Sequence, residues 1–431
     1  SRYYLIYEYA WSEFQSPKAE YASLFHRKPT PAESIPYKEE VRYDPAYQGQ
    51  TLTIYTGKKN VGLFTTEWFG DYGGALDGSD YLFMFPGSQW REGYTDDMNG
   101  TNWHNAMVIP NPEIPEEIEV RTSSGFIYFL DRVVPIMPSI EEYLIDNQDK
   151  YGLYYDYMQR FAEYGSPRTT EEREVEYRKS YDLIYDMAEE RASSTNTAVP
   201  PQNMWSALLP PDDVFQEYLD RTVFVYYESI DSVPRVTLYY ILQAQLSRTA
   251  VLKSKMANGY FNAFGDPTDF GPDDIVSGFT CSNGVVYETR RVIEPNVFTT
   301  VPGRLFFDKD YSTMLFAFNQ ANMLSTISNP ESDVTVFACT NAQLEEYGIR
   351  YDETSDAIEF RGPVDGNWKA MKTTELVLFA QDQIFEGILD MQGESAYAEV
   401  ASGNFIQYGG NQVYGPENQV YERPANVVEI E

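Results

Sequence analysis

The chain has 431 residues and carries 32 Lys and Arg against 66 Asp and Glu, a formal net charge of −34. That length exceeds what one hydrophobic core usually serves, so more than one domain is expected, and so negative a chain repels phosphate backbones, which excludes nucleic acid as the natural partner. Hydrophobic residues at 42% and charged residues at 23% are globular values, while aromatics at 16%, with 36 Tyr and 25 Phe, suit the pleated surfaces of β-rich exported proteins.

From the N-terminus, Tyr3 to Tyr7 is a short apolar segment that follows neither an initiator Met nor a basic leader, as in a processed chain or one that starts further upstream. His26 to Ile118 is rich in Tyr, Trp, Gly and Asp with little helical periodicity. Within it Trp68, Tyr72, Trp90 and Trp103 stand among carboxylates and amides. Sugars are bound by such sets, rings stacking on the apolar face while Asp and Asn take the hydroxyls; rings packed as local core give the same pattern. Asp96, Asp97 and Asn99 gather hard oxygens that suit calcium, but the alternating ligands and distal Glu of a calcium loop are incomplete, and ordinary turn chemistry accounts for them more simply.

Gly125 to Pro135, with Asp131 inside it, reads as a turn leading into a strand. The most apolar stretch, Phe126 to Met137, is broken by Asp131 and Arg132 and falls short of the roughly 20 residues a membrane helix needs. Thr169 to Ala192 reads as a charged helix, with Thr169 and Glu172 as a capping box and a seam at Tyr177, Tyr181, Ile184 and Ala188. Trp205 to Leu209 is a short buried strand, followed by a Pro/Asp turn and a helix that gathers Val214, Phe215, Tyr218 and Leu219 on one face. Asn283 and Gly284 open a second turn-to-strand element, which runs to Pro295. Val334 to Leu344 repeats the strand-then-helix grammar, with Thr340 or Asn341 as cap.

These elements recur. Ala257 to Gly265 aligns with Ala401 to Gly409, Gly259 and Gly403 standing 144 positions apart, and Thr237 to Leu246 precedes the first as Thr374 to Ile384 precedes the second. The offset is domain-sized, too long for a solenoid.

Thr335 to Asn341, including Phe337, resembles the first motif of fasciclin domains, roughly Thr-Val-Phe-Ala-Pro-Thr-Asn, with Cys339 in place of Pro. Asn283 to Pro295 and Gly125 to Pro135 resemble the second motif. The resemblance implies an α+β fold of tandem fasciclin-like domains of ~140 residues, each a β-sheet wedge flanked by helices. It places a first domain at 1–137, lacking its N-terminal part and carrying a long β-rich insertion at about 26–118. A complete second domain follows at 138–300, and a third at 301–431 lacks its C-terminal part, so a longer parent chain is expected.

By the same resemblance the protein is a non-catalytic binding or adhesion protein of the cell surface, similar to outer-membrane lipoproteins that accompany glycan importers. Its expected partners are proteins or glycans, with no cofactor. The Tyr-His pair linked to adhesion in other fasciclin domains is replaced by Tyr3-Tyr4, Tyr239-Tyr240 and Leu378-Phe379. No serine-nucleophile elbow, phosphate loop or zinc-protease motif occurs, and the two histidines are His26 and His104. The alternatives are a glycan-binding or glycan-cleaving protein with its site in the insertion, or an architectural subunit. Cys281 and Cys339 lie far apart without neighbouring cysteines, which fits neither a zinc site nor a redox pair, and unbridged thiols are expected.

Overall fold

The computed structural model describes residues 27–29, 33–64, 69, 74–85, 90, 102–103, 106–109, 111–115, 120–121, 126–127, 129–130, 136–188, 205–248, 251–352, 354–362, 365–415 and 425–426. They form a mixed α+β structure that divides into two compact units, Ser1–Asp220 with Ile241–Ile293 and Arg221–Tyr240 with Glu294–Glu431.

The first unit is built on a four-stranded sheet. Trp205–Leu209 runs parallel to Gly284–Thr289, which pairs antiparallel with Ile275–Thr280, while Leu246–Ser247 closes the other edge. The two central strands are buried on both faces and read as near-continuous apolar runs, as parallel strands do. Against this sheet packs a core of Leu208, Leu252, Tyr260, Phe270, Val285 and Tyr287, joined by Phe69, Tyr81, Met84 and Phe85 from the 26–118 stretch. That stretch therefore shares the core of the unit. Its short helix Ser79–Met84 is tied down by Asp80, whose buried carboxylate accepts from Ala75 N at 2.7 Å and from both the amide and the hydroxyl of Ser254.

Ser139 starts the helix Ile140–Asp146 with a full capping box: its hydroxyl accepts from Glu142 N and Glu142 accepts from Ser139 N. The following helix, Gln148–Gln159, breaks at Tyr151 (φ −125°, ψ 25°). The amides freed by the break, Gly152 N and Leu153 N, donate to Asp212 at 3.1 and 2.9 Å.

Residues 162–181 are a hairpin, which corrects the helix expected from Thr169. Ala162–Thr169 pairs antiparallel with Val175–Tyr181, and the turn between them holds Arg173 at φ 68°. Tyr177 and Tyr181 sit four apart, which suits a helix and a strand alike. The β-branched run Thr51–Tyr55 settles the matter by taking Val175–Tyr181 as a parallel neighbour, Ile54 opposite Tyr177. Tyr37–Glu40 completes this sheet on the far side of Thr51–Tyr55.

In the second unit Val334–Val336 pairs antiparallel with Ile384–Glu386. Beside it are a three-stranded sheet, Ile349–Asp352, Ala357–Arg361 and Trp368–Ala370, and a four-stranded one that begins with Ala396–Glu399 and Phe405–Gly409. Leu389, Met391, Ala398, Val400 and Ile406 form a compact cluster. Thr340 caps the helix Asn341–Tyr347 in a box with Gln343, as its sequence anticipates, and Gly348 ends that helix at φ 85°.

The segments aligned in the sequence share an element order. Strand Trp205–Leu209 and helix Asp212–Thr222 are followed by helix Arg235–Ala244 and a strand pairing antiparallel with the first; Val334–Val336, Asn341–Tyr347, Thr373–Gln381 and Ile384–Glu386 follow in that order too, with the three strands Ile349–Asp352, Ala357–Arg361 and Trp368–Ala370 standing between the two helices. Cys281 and Cys339 are free thiols. Among the described residues no helix is long and apolar enough to cross a membrane.

Candidate functional site

The strand Tyr37–Glu40 alternates, turning Tyr37 and Glu39 inward and leaving Lys38 and Glu40 exposed. The hairpin brings Lys179 to the same place, directly opposite Tyr164, and the capped helix brings Glu141. Lys179 is fully buried. Its ammonium lies 2.6 Å from Glu39 Oε2 and 2.9 Å from Glu141 Oε1, and 5.3 to 5.9 Å from the ring centres of Tyr155, Tyr164 and Tyr181. Those separations are within cation–π range.

The phenols complete the node. Tyr155 and Tyr164 donate to the two oxygens of Glu39, Tyr181 donates to Glu141 at 2.7 Å, and Gln159 Nε2 donates to Tyr181 at 2.8 Å. Tyr37 reaches Glu141 at 3.4 Å. Burial first, and then the charges of Glu141 and Glu39, push the phenols of Tyr37, Tyr155, Tyr164 and Tyr181 well above the ordinary tyrosine range, so all four stay protonated as donors. Nearby, the buried ammonium of Lys59 is paired with Glu142.

Above this node opens a cleft of about 210 Å³ lined by Tyr37, Glu39, Ile145, Gln148, Tyr155, Gln159 and Tyr164, with Lys38, Glu40 and Arg42 around them. Arg42 is engaged with Asp156 at 2.6 Å. A space below the ~300–1,000 Å³ of drug-sized sites holds a single ring or side chain. Its walls are tyrosine, one aliphatic residue, amides and charged side chains of both signs. Glu39 in its wall and Glu141 in the node are both committed to Lys179 and to phenol donors.

No protein-family model matches the chain, nor does any curated protein match it significantly. Among solved structures the chain is similar to a FAS1 domain pair from the insect cell adhesion molecule fasciclin I, with 15% identity and a TM-score of 0.19 over 49% of this chain and 81% of that one. That TM-score assigns no family.

The described fasciclin-motif positions are folding nodes. Buried Asn283 accepts from Ile140 N and donates to Met187 O, both at 2.9 Å, while its carbonyl accepts from Tyr185 OH. Gly284 lies so close to the neighbouring strand that a Cβ there would fall 2.6 Å from Trp205 O and 2.7 Å from Ile140 Cδ1. Thr335 bonds Gly387 O and Leu389 N, Phe337 packs on the Leu389–Ile406 cluster, and Asn341 accepts from Thr313 N while donating to Lys309 O and Ser312 Oγ.

Of the aromatic set chosen from the sequence, Trp90 turns inward. It packs 5.3 Å from both Phe69 and Tyr81, and Gly78 meets its face so closely that a Cβ would fall 2.0 Å from Trp90 Cγ. Trp103 lies on the strand Asn102–Trp103, paired with Leu63. Trp68, Tyr72, Asp96, Asp97, Asn99, Gly125 and Asp131 lie outside the described residues. Sequence reasoning missed Tyr37, Glu39, Glu141, Tyr155, Tyr164 and Lys179. The available signal was a lysine flanked at i±2 by Tyr177 and Tyr181 on one strand face, together with a second segment of the chain that alternates Tyr37 and Glu39.

Proposed function

We propose that the protein is a non-catalytic binding protein of the cell surface, serving as an accessory, lipid-anchored in kind, of an outer-membrane assembly or glycan importer, and that it holds glycans in the Tyr37–Glu39–Tyr155–Tyr164 cleft. The observation that carries this reading is the cleft itself. Tyrosine edges and Ile145 suit the apolar face of a sugar ring, and Gln148, Gln159 and Glu39 suit its hydroxyls. Two of its walls, Tyr37 and Glu39, come from the 26–118 insertion, which supports that stretch as the binding element. Trp68, Tyr72 and Trp103 of the same insertion are proposed to extend the surface.

Glycan-array screening followed by calorimetry tests this reading. Tyr37→Ala and Gln148→Ala are expected to weaken the best array ligand by ~1–3 kcal/mol each while leaving the melting temperature within a few degrees of wild type. An array with no ligand above background, or unchanged affinity in both variants, would overturn it.

A further inference from the structure

Resting on the glycan reading of the cleft, we infer that the preferred ligand carries a primary ammonium, as a de-N-acetylated amino sugar does. The buried node holds two carboxylates, Glu39 and Glu141, around one ammonium, Lys179. The Lys59–Glu142 pair beside it is balanced and contributes no compensating charge. An excess buried negative charge is costly unless a counter-charge approaches. Four phenol hydroxyls disperse it, and the side from which a cation can approach is the cleft, where Glu39, with 14% of its side chain exposed, is part of the wall.

The rim does not reverse that sign. Arg42 is paired with Asp156, and Lys38 and Glu40 alternate on the outward face of one strand and offset each other. The chemistry that holds an ammonium here is already visible on the inner side, where Lys179 lies against the faces of Tyr155, Tyr164 and Tyr181 while touching Glu39. Tyr155, Tyr164 and Glu39 also line the cleft, and Glu39, which already accepts from Lys179, Tyr155 and Tyr164, has about four lone-pair sites and so keeps one for a second ammonium from outside. The overall charge of −34 draws such ligands in.

Calorimetry on the full chain with three probes decides the matter: a glucosamine tetramer, its fully N-acetylated counterpart, and Nα-acetyl-lysine amide. The glucosamine tetramer is expected to bind at least about tenfold tighter than the acetylated one at low salt, with the preference collapsing at high salt. In Glu39→Gln, checked for folding by circular dichroism, the preference should shrink to within about threefold, because Glu141 and Lys179 then balance. If that variant does not fold, the salt dependence of the wild-type preference carries the decision alone. Equal binding of both tetramers overturns the ammonium inference and leaves the glycan cleft standing. Binding of neither overturns both, and binding of the lysine amide without the amino sugar overturns the site as a glycan site.

Discussion

Lys179 Nζ lies 2.6 Å from Glu39 Oε2 with none of its own side chain exposed, so this one contact joins the Tyr37–Glu40 strand to the 162–181 hairpin through a buried ion pair. Removing one partner leaves the other buried and uncompensated. Lys179→Met should lower unfolding stability by about 3–5 kcal/mol in urea titrations, and adding Glu39→Gln to it should recover part of the loss. A single variant as stable as wild type would show that the node is hydrated.

Trp90 carries packing. Trp90→Ala should cost about 3 kcal/mol through the cavity left between Phe69 and Tyr81. Differential scanning calorimetry alongside ligand affinity is the check: unchanged melting with lost binding would return Trp90 to the surface.

Gly284→Ala forces a Cβ against Trp205 O and should destabilise by about 1–3 kcal/mol. Asn283→Ala leaves Ile140 N and Met187 O without their partner and should cost about the same. Either variant unfolding at the wild-type urea midpoint would remove these residues from the list of folding nodes.

Asp274 supplies a pH dependence. Burial acts to raise its pKa, but the hydrogen bonds from Arg291 and Gly271 N and the Arg291 charge outweigh burial and hold it below the ordinary range. A depressed folded value means that the contribution is complete above the unfolded pKa of about 3.9 and disappears as pH falls through the lower folded value. Because the side chain is 26% exposed and its partner Arg291 is 39% exposed, solvent screens the pair and the effect is under about 1 kcal/mol. Asp274→Asn should lower stability by up to that amount near neutrality, converge with wild type as the pH falls below about 4, and so flatten the acid limb of the profile. An identical acid limb in variant and wild type would refute it.

Elements fixed by local chemistry were legible in the sequence. Thr340 caps its helix, Trp205–Leu209 is a buried strand, and Phe215, Tyr218 and Leu219 face inward from the helix after it. The hairpin was not, because the i, i+4 spacing of Tyr177 and Tyr181 suits a helix and a strand alike, and the parallel neighbour Thr51–Tyr55 lies over 120 residues away. The buried ionic node was hidden because its members are distant in the chain. Glu39, Glu141 and Lys179 are each an ordinary charged residue in their own segment, and only the tertiary fold makes them a cluster. Asn283 and Gly284 were legible because close backbone approach and amide bridging favour those residue types at a turn into a strand.

The first unit takes its chain from Ser1–Asp220 and Ile241–Ile293, so the strand Trp205–Leu209 is synthesised well before its parallel neighbour Gly284–Thr289. At ~5–20 residues per second on a ribosome, that delay is about 4–15 s, far longer than collapse of a chain of this size. Throughout it, Ala207, Leu208 and Leu209 lack their parallel neighbour. Nascent chains of this protein are therefore expected to be most exposed to misassociation while the segment from Asp220 to Gly284 is emerging.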